Sequence, residues 1–574
     1  MARANDDVER ALLEFADLLS ILSEDPYKPR SYEKAARAVG GYHADVSGLD
    51  LKSILEIPNV GRSIGEKVLE ILEKGTFADL EGLRAQVPPG VRELMSIPGL
   101  GPKKAMVLHR ELGVSSVDGL VEAIDDDRVA GLRGFGKRTQ DNILSGLQQL
   151  SASGGRVLVD AALDVAEAML AELTALRQVR RAAFAGSLRR MRETIGDVDL
   201  LVAGTEPEPI MEAFVALPSV TRVLAQGDTK SSIVTDRGLQ VDLRVVAPDV
   251  WGAAMIYFTG SKAHNVRIRE MAVRAGLKLS EYGLFDAKSG ELLAAETEER
   301  VYEHLGLPYI APTLREDRGE VEAALSGELP KVIEQRQIRG DLHTHTNLTD
   351  GLASLEEMLD AAKAFKYAYY AVTDHAPNLA MQRMTDEKIL AQRARIKKLQ
   401  PKFDMTLLHG TELNIDPDGG VDWPDQFLAG FDVTVASVHS HFTQTRDEMT
   451  RRVIRAVEDP FVNVIGHLTG RLIGKRPPIE IDLDAVFEAA ARTGTALEVN
   501  SFPERLDVKD EHILWAKRYG VRFAVNTDSH AAVHLPFMRY GVATAQRGWL
   551  TKDEVINTWP LAKLRRFLRK GRPA

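Results

Sequence analysis

The spacing of apolar residues changes character along the chain. In residues 1–150, apolar positions recur every three or four residues between turn glycines, a pattern typical of short amphipathic helices. From about residue 156, alternating runs such as DVDLLVA and LQVDLRVVA predict β-strands. Beyond residue 338, apolar runs such as YAYYAVTDH and NVIGHL alternate with helical segments, which predicts βα units around a parallel sheet or barrel. We therefore expect a multidomain α+β chain.

A chain of 574 residues is too long for one hydrophobic core. Residues 316–337 are charged and contain Gly and Pro, as interdomain linkers do. The pattern predicts the following segments: a helical domain at 1–80, a second helical subdomain at 81–150, a strand-rich domain at 151–250, a mixed subdomain at 251–315, the linker at 316–337, and the repeating αβ domain at 338–574.

Composition narrows the possible functions. The formal net charge is −10, which argues against a protein that coats DNA by electrostatics alone. There is no cysteine, so disulfides and thiolate metal sites are excluded. No apolar run approaches the roughly 20 residues needed to span a bilayer, and we expect a cytoplasmic protein without a membrane partner. Four histidines precede residue 336 and ten follow it, which suggests imidazole metal ligands in the last third.

One glycine pattern recurs in the helical region. It reads ILEIPNVGRSIGEKVLEIL at 54–72 and MSIPGLGPKKAMVLHREL at 95–112, with a weaker copy at 132–144. Glycines allow close backbone approach to a phosphate, and the N–H groups of the following helix point at the anion. The alternative is a set of ordinary turns in a helical bundle. The repeated copies resemble the helix-hairpin-helix motif of DNA repair proteins, and they predict DNA contacts without sequence preference at Gly61, Gly65, Gly99 and Gly101.

Three carboxylates predict a site for phosphoryl transfer. Asp197 and Asp199 are two apart on a predicted strand and therefore project from one face, and Asp242 lies on a later strand. Carboxylates on adjacent strands can hold two divalent cations about 4 Å apart, which is what nucleotidyl transfer requires. Upstream, Gly186 permits close backbone approach, and the hydroxyl of Ser187 and the guanidinium of Arg190 suit phosphate oxygens.

These motifs resemble family X DNA polymerases, whose best-known member is DNA polymerase beta. The resemblance rests on GSLRR followed by GDVD, on TK at 229–230, on VDLR around Asp242, and on YFTGSKAHN at 257–265, and it covers about residues 1–315. It implies that residues 151–250 form the nucleotidyltransferase palm and 251–315 the nucleotide-selection subdomain. The substrates would be deoxynucleoside triphosphates and gapped or primer–template DNA, with Mg²⁺ or Mn²⁺ on the three carboxylates.

The resemblance also assigns individual roles. Asp242 would be the base for the primer hydroxyl, and Ser187 and Arg190 would hold the triphosphate. Further contacts to the sugar, the base and the template would come from Tyr257, Phe258, Gly260, Asn265 and Arg269.

Two positions depart from the family pattern and one further position matches the vertebrate enzyme. Met191 replaces the family's usual glycine after the paired arginines, and Lys262 stands where the vertebrate enzyme has an acidic residue, so nucleotide selectivity does not transfer. Lys67 aligns with the lysine that forms a Schiff base with abasic sugar in that enzyme. Lyase activity therefore remains an open hypothesis.

The last third contains a set of candidate metal ligands, each following a predicted strand. DLHTHTNLTDG, VTDHAP, HGTELN, ASVHSHF, VIGHL and VNTDSHAA carry six histidines and three carboxylates. Nitrogen and oxygen ligands without sulfur suit Mn²⁺, Zn²⁺ or Fe²⁺, and nine ligands predict two or three ions with a bridging carboxylate. The predicted ligands are His343, His345, Asp350, His375, Glu412 (the bridge), His439, His467, Asp528 and His530. His409, His441, His512 and His534 are left out, His441 being the closest alternative.

The ligand pattern resembles the polymerase and histidinol phosphatase (PHP) domain, a distorted seven-stranded βα barrel with a trinuclear centre. A polymerase followed by a PHP domain is the order of bacterial and archaeal family X enzymes. The combined resemblance implies an enzyme that fills gaps in base excision or break repair, with a 3′–5′ exonuclease in the PHP domain. We expect it to act as a monomer. The alternatives for that domain are an abasic-site endonuclease, a 3′-phosphatase or a small-molecule phosphatase, and a non-catalytic DNA-binding scaffold is the alternative for the whole chain.

Overall fold

The computed structural model describes most of the chain. The described residues are 4–22, 27–40, 42, 45–95, 97, 100–126, 128–129, 131–132, 134–136, 139–140, 143–144, 147, 155–379 and 384–570. None of the helices in these ranges combines the length and the apolar character needed to cross a bilayer.

The amino-terminal region is helical, as its apolar period predicts. Its helices are Ala4–Leu22, Tyr27–Gly40, Leu51–Ile54, Arg62–Lys74, Ala78–Gln86, Pro89–Met95, Pro102–Leu112 and Val117–Asp125, with a 3-10 turn at Val46–Gly48. One cluster of buried apolar side chains runs from Val8 to Leu147. The segments 1–80 and 81–150 therefore share a single core, because the long helix Ala4–Leu22 packs against helices of both.

The next domain is built on a five-stranded mixed sheet. Its spatial order is β2 (Val179–Phe184), β4 (Asp197–Gly204), β7 (Gln240–Val246), β6 (Lys230–Thr235) and β5 (Val220–Gln226). Only β4 and β7 are parallel, so their starts lie at the same edge. The helices Val159–Thr174 and Pro207–Val215 pack on this sheet. A short antiparallel pair, β1 (Val157–Leu158) with β3 (Thr194–Ile195), lies beside it.

A smaller subdomain follows the sheet. It contains the helices Trp251–Thr259, Lys262–Arg274, Glu298–His304 and Glu320–Ser326 and the antiparallel strands β8 (Leu277–Ser280), β9 (Gly283–Asp286) and β10 (Leu292–Ala294). The last of these helices lies inside the segment whose composition predicts a linker. Val321 and Ala324 of that helix are buried in the same core as Tyr302, so the first part of the segment is packed structure.

The carboxy-terminal domain is a seven-stranded parallel barrel with the strands in chain order. They are β11 (Gly340–Asp341), β12 (Tyr369–Val372), β13 (Thr406–Asn414), β14 (Val433–Ser437), β15 (Val464–Ile465), β16 (Ala496–Asn500) and β17 (Phe523–Asn526). A backbone bridge between Thr344 and Ser529 brings the last strand to the first. The surrounding helices are Leu355–Ala362, Asp386–Leu399, Asp425–Leu428, Arg446–Glu458, Leu483–Thr493, Asp510–Lys517, Met538–Arg547 and Leu561–Leu568.

The barrel domain packs directly against the five-stranded domain. Leu506 and Tyr540 of the barrel domain are buried in the apolar cluster of the five-stranded domain, where they join residues such as Met169 and Leu173. Two ion pairs cross the same boundary, Arg471 with Glu193 at 2.7 Å and Arg539 with Glu167 at 3.0 Å. The two domains therefore share buried apolar surface as well as paired charges.

Candidate active sites

The three predicted carboxylates come together at one edge of the five-stranded sheet. The parallel register places Asp199 opposite Asp242, and Asp197 lies two residues earlier on the same face of β4. Burial, together with repulsion from Asp197 and Asp242, raises the pKa of Asp199 to about 7. Asp242 accepts a hydrogen bond from Gln240 at 2.9 Å and pairs with Lys230 at 3.3 Å. Such mutual repulsion fits a site for divalent cations, which would neutralise the cluster.

The backbone at Gly186 approaches this cluster closely. Gly186 has φ +59°, and a Cβ there would lie 2.1 Å from Oδ2 of Asp199. Glycine is therefore required both by the left-handed backbone and by the carboxylate. The short helix Gly186–Arg189 begins here, and Ser187 lies partly exposed in it. The predicted phosphate-contacting segment thus starts beside the carboxylates.

Two neighbouring arginines of this segment point into the boundary with the next subdomain. Nε of Arg190 donates to Glu316 at 3.0 Å, and its Nη1 donates to the carbonyl of Thr259. Arg189 pairs with Glu298, which is also held at 2.7 Å by the fully buried Arg315. Sequence reasoning missed the Arg189–Glu298–Arg315 group, because Arg189 is 109 residues away from Glu298 and only the paired arginines gave a local signal.

The predicted nucleotide contacts of the smaller subdomain surround the end of the helix Trp251–Thr259. The aromatic rings of Tyr257 and Phe258 contact each other edge to face, and Phe258 also lies under the guanidinium of Arg244. Gly260 ends the helix with φ +68°, and a Cβ there would lie 3.2 Å from Nη1 of Arg190. Asn265 donates to the carbonyl of Tyr257 at 2.7 Å. Arg269 and Lys262 are exposed on the next helix.

The glycine hairpins are exposed where a phosphate would have to approach. Gly61 and Gly101 are the residues that precede the helices Arg62–Lys74 and Pro102–Leu112, and a Cβ at either would meet nothing within 4 Å. Gly65 differs from these two glycines. Gly65 is buried against Leu51 and Leu55, so its small size serves helix packing. Gly99 lies outside the described residues.

Lys67 lies on the first hairpin helix, six residues after the exposed Gly61. Its ammonium pairs with Asp79 at 2.8 Å and is mostly buried. Partial burial alone would lower the pKa of Lys67, but the hydrogen bond to Asp79 and nearby acidic groups raise it above its ordinary value. A protonated amine is a poor nucleophile, so this environment does not favour Schiff-base chemistry in the absence of DNA.

All nine predicted ligands of the barrel domain converge at the carboxyl ends of its strands. They fall into three overlapping groups, within each of which the ligand atoms lie within 4.8 Å of one another, and His467 joins them through Glu412. The groups are His345, Asp350, His375 and His530; His343, His345 and Asp528; and His375, Glu412 and His439. This is the face on which a βα barrel builds its active site.

Glu412 occupies the centre of the cluster. One of its oxygens lies 3.1 Å from both His439 and His467, and the other lies 2.9 Å from His375 and 3.5 Å from His343. Burial opposes its ionisation, but the surrounding imidazoles hold the pKa of Glu412 well below its usual range. A carboxylate with histidines on both oxygens is placed to bridge two cations.

The ring nitrogens of this cluster fit metal ligands. Within the described residues, Nε2 of His343 and both ring nitrogens of His345 are buried and make no hydrogen bond. Buried polar atoms without partners cost free energy, and a bound cation would supply the missing partner. His441, the closest alternative ligand, is exposed and belongs to none of the three groups.

A set of supporting residues holds the ligands in place, and sequence reasoning missed them. Glu498 accepts from Nδ1 of His343 at 2.7 Å and from the backbone N–H of His467 at 2.8 Å. Asn414 lies 2.7 Å from Nδ1 of His439. Such contacts fix the ring orientation and the tautomer of metal-binding histidines. Their sequence signal was available, because both are polar residues within the short runs HGTELN and TALEVN of this domain.

Comparisons with known proteins agree with this architecture. Four family models match: a helix-hairpin-helix domain at 3–77, a SAM-like helix-hairpin-helix tandem at 91–149, the DNA polymerase beta thumb at 254–316 and the PHP domain at 341–502. The DNA polymerase/3′-5′ exonuclease PolX of Bacillus subtilis (strain 168) is 36% identical over 569 residues, covering 98% of this chain and 99% of the relative.

Two further relatives each match one part of the chain. DNA polymerase lambda of Rattus norvegicus is 28% identical over 323 residues, which are 51% of this chain and 53% of that protein. A probable phosphatase of Thermoanaerobacter sp. (strain X514) is 28% identical over 243 residues, which are 40% of this chain and 94% of that protein.

Fold, site and comparisons together define a family X DNA polymerase that carries a PHP exonuclease domain. The chain belongs to the PolX family of DNA polymerase/3′–5′ exonucleases, because it matches the Bacillus protein over nearly the whole length of both. The predicted family, fold class and enzyme class are thereby confirmed.

Proposed function

We propose that this chain fills short gaps in DNA during repair and trims 3′ ends with its barrel domain. The observation that carries the proposal is the presence of two separate ligand clusters in one chain. Asp199 faces Asp242 at the sheet edge, and Glu412 lies among five imidazoles in the barrel. The hairpins at Gly61 and Gly101 would hold the DNA backbone without sequence preference and so serve both active sites.

At the polymerase site, Asp197, Asp199 and Asp242 would hold two Mg²⁺ or Mn²⁺ ions. Such ions activate a 3′-hydroxyl and neutralise the triphosphate in nucleotidyl transfer. The protein's own part is positioning. Asp242 would accept the proton of the primer hydroxyl, and Ser187 and Arg190 would orient the triphosphate. Tyr257, Phe258, Gly260, Asn265 and Arg269 would line the nucleotide and template side of the pocket.

At the barrel site, the nine ligands would hold two or three ions of Mn²⁺, Zn²⁺ or Fe²⁺. Ions in such centres supply a hydroxide nucleophile and neutralise the phosphodiester under attack. Glu412 would bridge them, and Glu498 and Asn414 would keep His343 and His439 in the orientation that presents Nε2 to the cation. We propose that the enzyme acts as a monomer in the cytoplasm, where its DNA substrate would lie.

The testing experiment uses the purified full-length protein with Mn²⁺ or Mg²⁺ on a labelled gapped duplex. Extension of the primer when deoxynucleoside triphosphates are present, and stepwise shortening from the 3′ end when they are omitted, are the expected results. Failure to extend the primer with either metal would overturn the polymerase assignment. Failure to shorten it would overturn the exonuclease assignment separately.

A small-molecule phosphatase is the second candidate for the barrel domain, since the Thermoanaerobacter relative that matches it is named a probable phosphatase. Abasic-site incision and 3′-phosphate removal are further candidates on the same centre. Manganese-dependent phosphate release from histidinol phosphate, from a 3′-phosphorylated primer and from an abasic duplex would be compared with nucleotide release from a 3′ end. The substrate with the largest kcat/KM identifies the activity.

A further inference from the structure

Arg547, at the end of the barrel helix Met538–Arg547, reaches out of its own domain to the segment that contains Arg190. Its side chain is only 4% exposed. Nη1 donates to the backbone carbonyl of Arg190 at 2.9 Å and to Oε1 of Glu316 at 2.8 Å, while Nη2 donates to Asp510 at 2.7 Å. A guanidinium of the nuclease domain is therefore anchored to the residue proposed to bind the triphosphate.

Glu316 joins the two arginines. The oxygen that accepts from Arg547 also accepts from Nε of Arg190 at 3.0 Å. With Nη1 on the Thr259 carbonyl, two of the three nitrogens of Arg190 are fixed, and Nη2 makes no hydrogen bond within the described part of the chain. The plane of the Arg190 guanidinium is thus set by the partners of Nε and Nη1, and Nη2 is the nitrogen left to donate to an anion.

The cluster of Arg190, Arg547, Glu316 and Asp510 balances its charges only when all four side chains are present. Arg190 and Arg547 repel each other, and the carboxylates of Glu316 and Asp510 offset that repulsion. Removing Arg547 would release the Arg190 carbonyl and leave Glu316 with Arg190 at 3.0 Å and the more distant Arg192 at 3.8 Å. Because mostly buried charge-assisted hydrogen bonds are strong and directional, such a loss would let the Arg190 side chain sample other orientations.

We propose that Arg547 of the PHP domain is a positioning residue for the polymerase, holding Arg190 through Glu316 in the orientation that binds the triphosphate. The proposal rests on the role assigned above to Arg190. In this proposal the PHP domain contributes to nucleotide binding by the polymerase, independently of its own nuclease activity. Lost orientation of one phosphate contact weakens nucleotide binding, so the KM for nucleotide should rise more than kcat falls.

The test measures single-nucleotide gap filling by the full-length protein with Arg190→Ala, Arg547→Ala, Arg547→Lys and the double variant. The matched control is Arg539→Ala. Arg539 lies on the same helix and forms another ion pair between the domains, with Glu167, away from Arg190.

Arg190→Ala and Arg547→Ala should each raise the KM for nucleotide about tenfold. The double variant should be no worse than Arg190→Ala, because coupled residues are not additive. Lysine should restore only part of the affinity, since it cannot make three hydrogen bonds in this fork geometry.

Distinct outcomes separate the proposal from its premise. No effect of Arg190→Ala would refute the role of Arg190 and with it the proposal. An effect of Arg190→Ala with a KM within twofold of wild type for Arg547→Ala would overturn the positioning role alone. Equal effects of Arg547→Ala and Arg539→Ala would also overturn it, since they would indicate general loosening between the domains. Retained exonuclease activity would show that a variant protein is folded. If Arg547→Ala does not fold, Glu316→Gln tests the same link, and an unchanged KM there overturns the proposal.

Discussion

Oε1 of Glu498 lies 2.7 Å from Nδ1 of His343, and neither side chain is exposed. This carboxylate is 155 residues away from the histidine in sequence. By accepting the Nδ1 proton, Glu498 directs Nε2 of His343 towards Glu412 and Asp528. The ligand geometry of the barrel site therefore depends on a residue that is not itself a ligand.

Glu498→Gln should weaken the nuclease without affecting synthesis. Loss of such a supporting contact costs roughly 10- to 100-fold in metal affinity or activity. Titrating exonuclease activity with Mn²⁺ would show the curve displaced to higher concentration, and gap filling by the same preparation would be unchanged. Glu488→Gln, at an exposed position on the helix Leu483–Thr493, is the control. An unshifted Mn²⁺ curve for Glu498→Gln would contradict the supporting role.

The two clusters should be separable by mutation. Asp199→Ala should abolish primer extension and leave exonuclease activity intact, because it removes a carboxylate from the polymerase cluster only. His343→Ala should have the reverse effect. Both activities would be measured on one gapped substrate. Loss of both activities in either variant would show that the sites are not independent.

Gly186→Ala should abolish synthesis through displacement of Asp199. The new Cβ would lie 2.1 Å from the Asp199 carboxylate, and alanine would also have to adopt the positive φ of Gly186. Gly238→Ala is the matched control, because Gly238 also has a positive φ, +74°, but a Cβ there would meet nothing within 4 Å. The control isolates backbone strain of about 1–2 kcal/mol. Equal extension rates for the two variants would show that the contact with Asp199 is unimportant.

Magnesium binding at the polymerase site should weaken below neutral pH. The pKa of Asp199 is raised to about 7 by burial and by its acidic neighbours, so its carboxyl is protonated below that pH when no cation is present. A cation binds the ionised form, and the apparent affinity should fall up to about tenfold per pH unit below 7. The Mg²⁺ concentration for half-maximal extension would be compared at pH 6 and pH 8. Equal values would contradict the shift.

In the metal-free protein, the same raised pKa makes the free energy of unfolding decrease as pH rises, whereas the affinity for Mg²⁺ increases with pH. Between the ordinary value of 3.8 and about 7, the unfolded chain has released the proton that folded Asp199 still holds. The contribution of this group to stability therefore falls as pH rises through that window. Asp199→Asn should remove this dependence, which thermal unfolding in a chelator at pH 5 and pH 8 would reveal as a smaller difference in Tm.

DNA binding through the hairpins should be sensitive to charge at their exposed glycines. Gly61→Glu and Gly101→Glu place a carboxylate at a helix N-terminus that is predicted to face a phosphate, so each should lower the affinity for gapped DNA several-fold, equally for unrelated sequences. Gly48→Glu adds the same charge at another exposed glycine with open surroundings. Fluorescence anisotropy at fixed salt would measure the difference, and equal affinities for Gly61→Glu and Gly48→Glu would remove the first hairpin from the interface.

The sequence by itself determined the main elements and the candidate ligand residues of this protein. Hydrophobic period and glycine spacing specify helices, strands and hairpins, because these are local properties of the chain. The pair Asp197 and Asp199 and the pair His343 and His345 were recognisable for the same reason, since alternation along an extended segment puts each pair on one side.

Only the tertiary structure decided how distant segments meet. The β4–β7 register puts Asp242 opposite Asp199, and barrel closure carries Glu498 to His343. Packing also assigned Gly65 to a helix contact, and it brought Arg547 across a domain boundary to Glu316. Such contacts depend on strand order, register and burial summed over the whole chain, and no local pattern of residues encodes them.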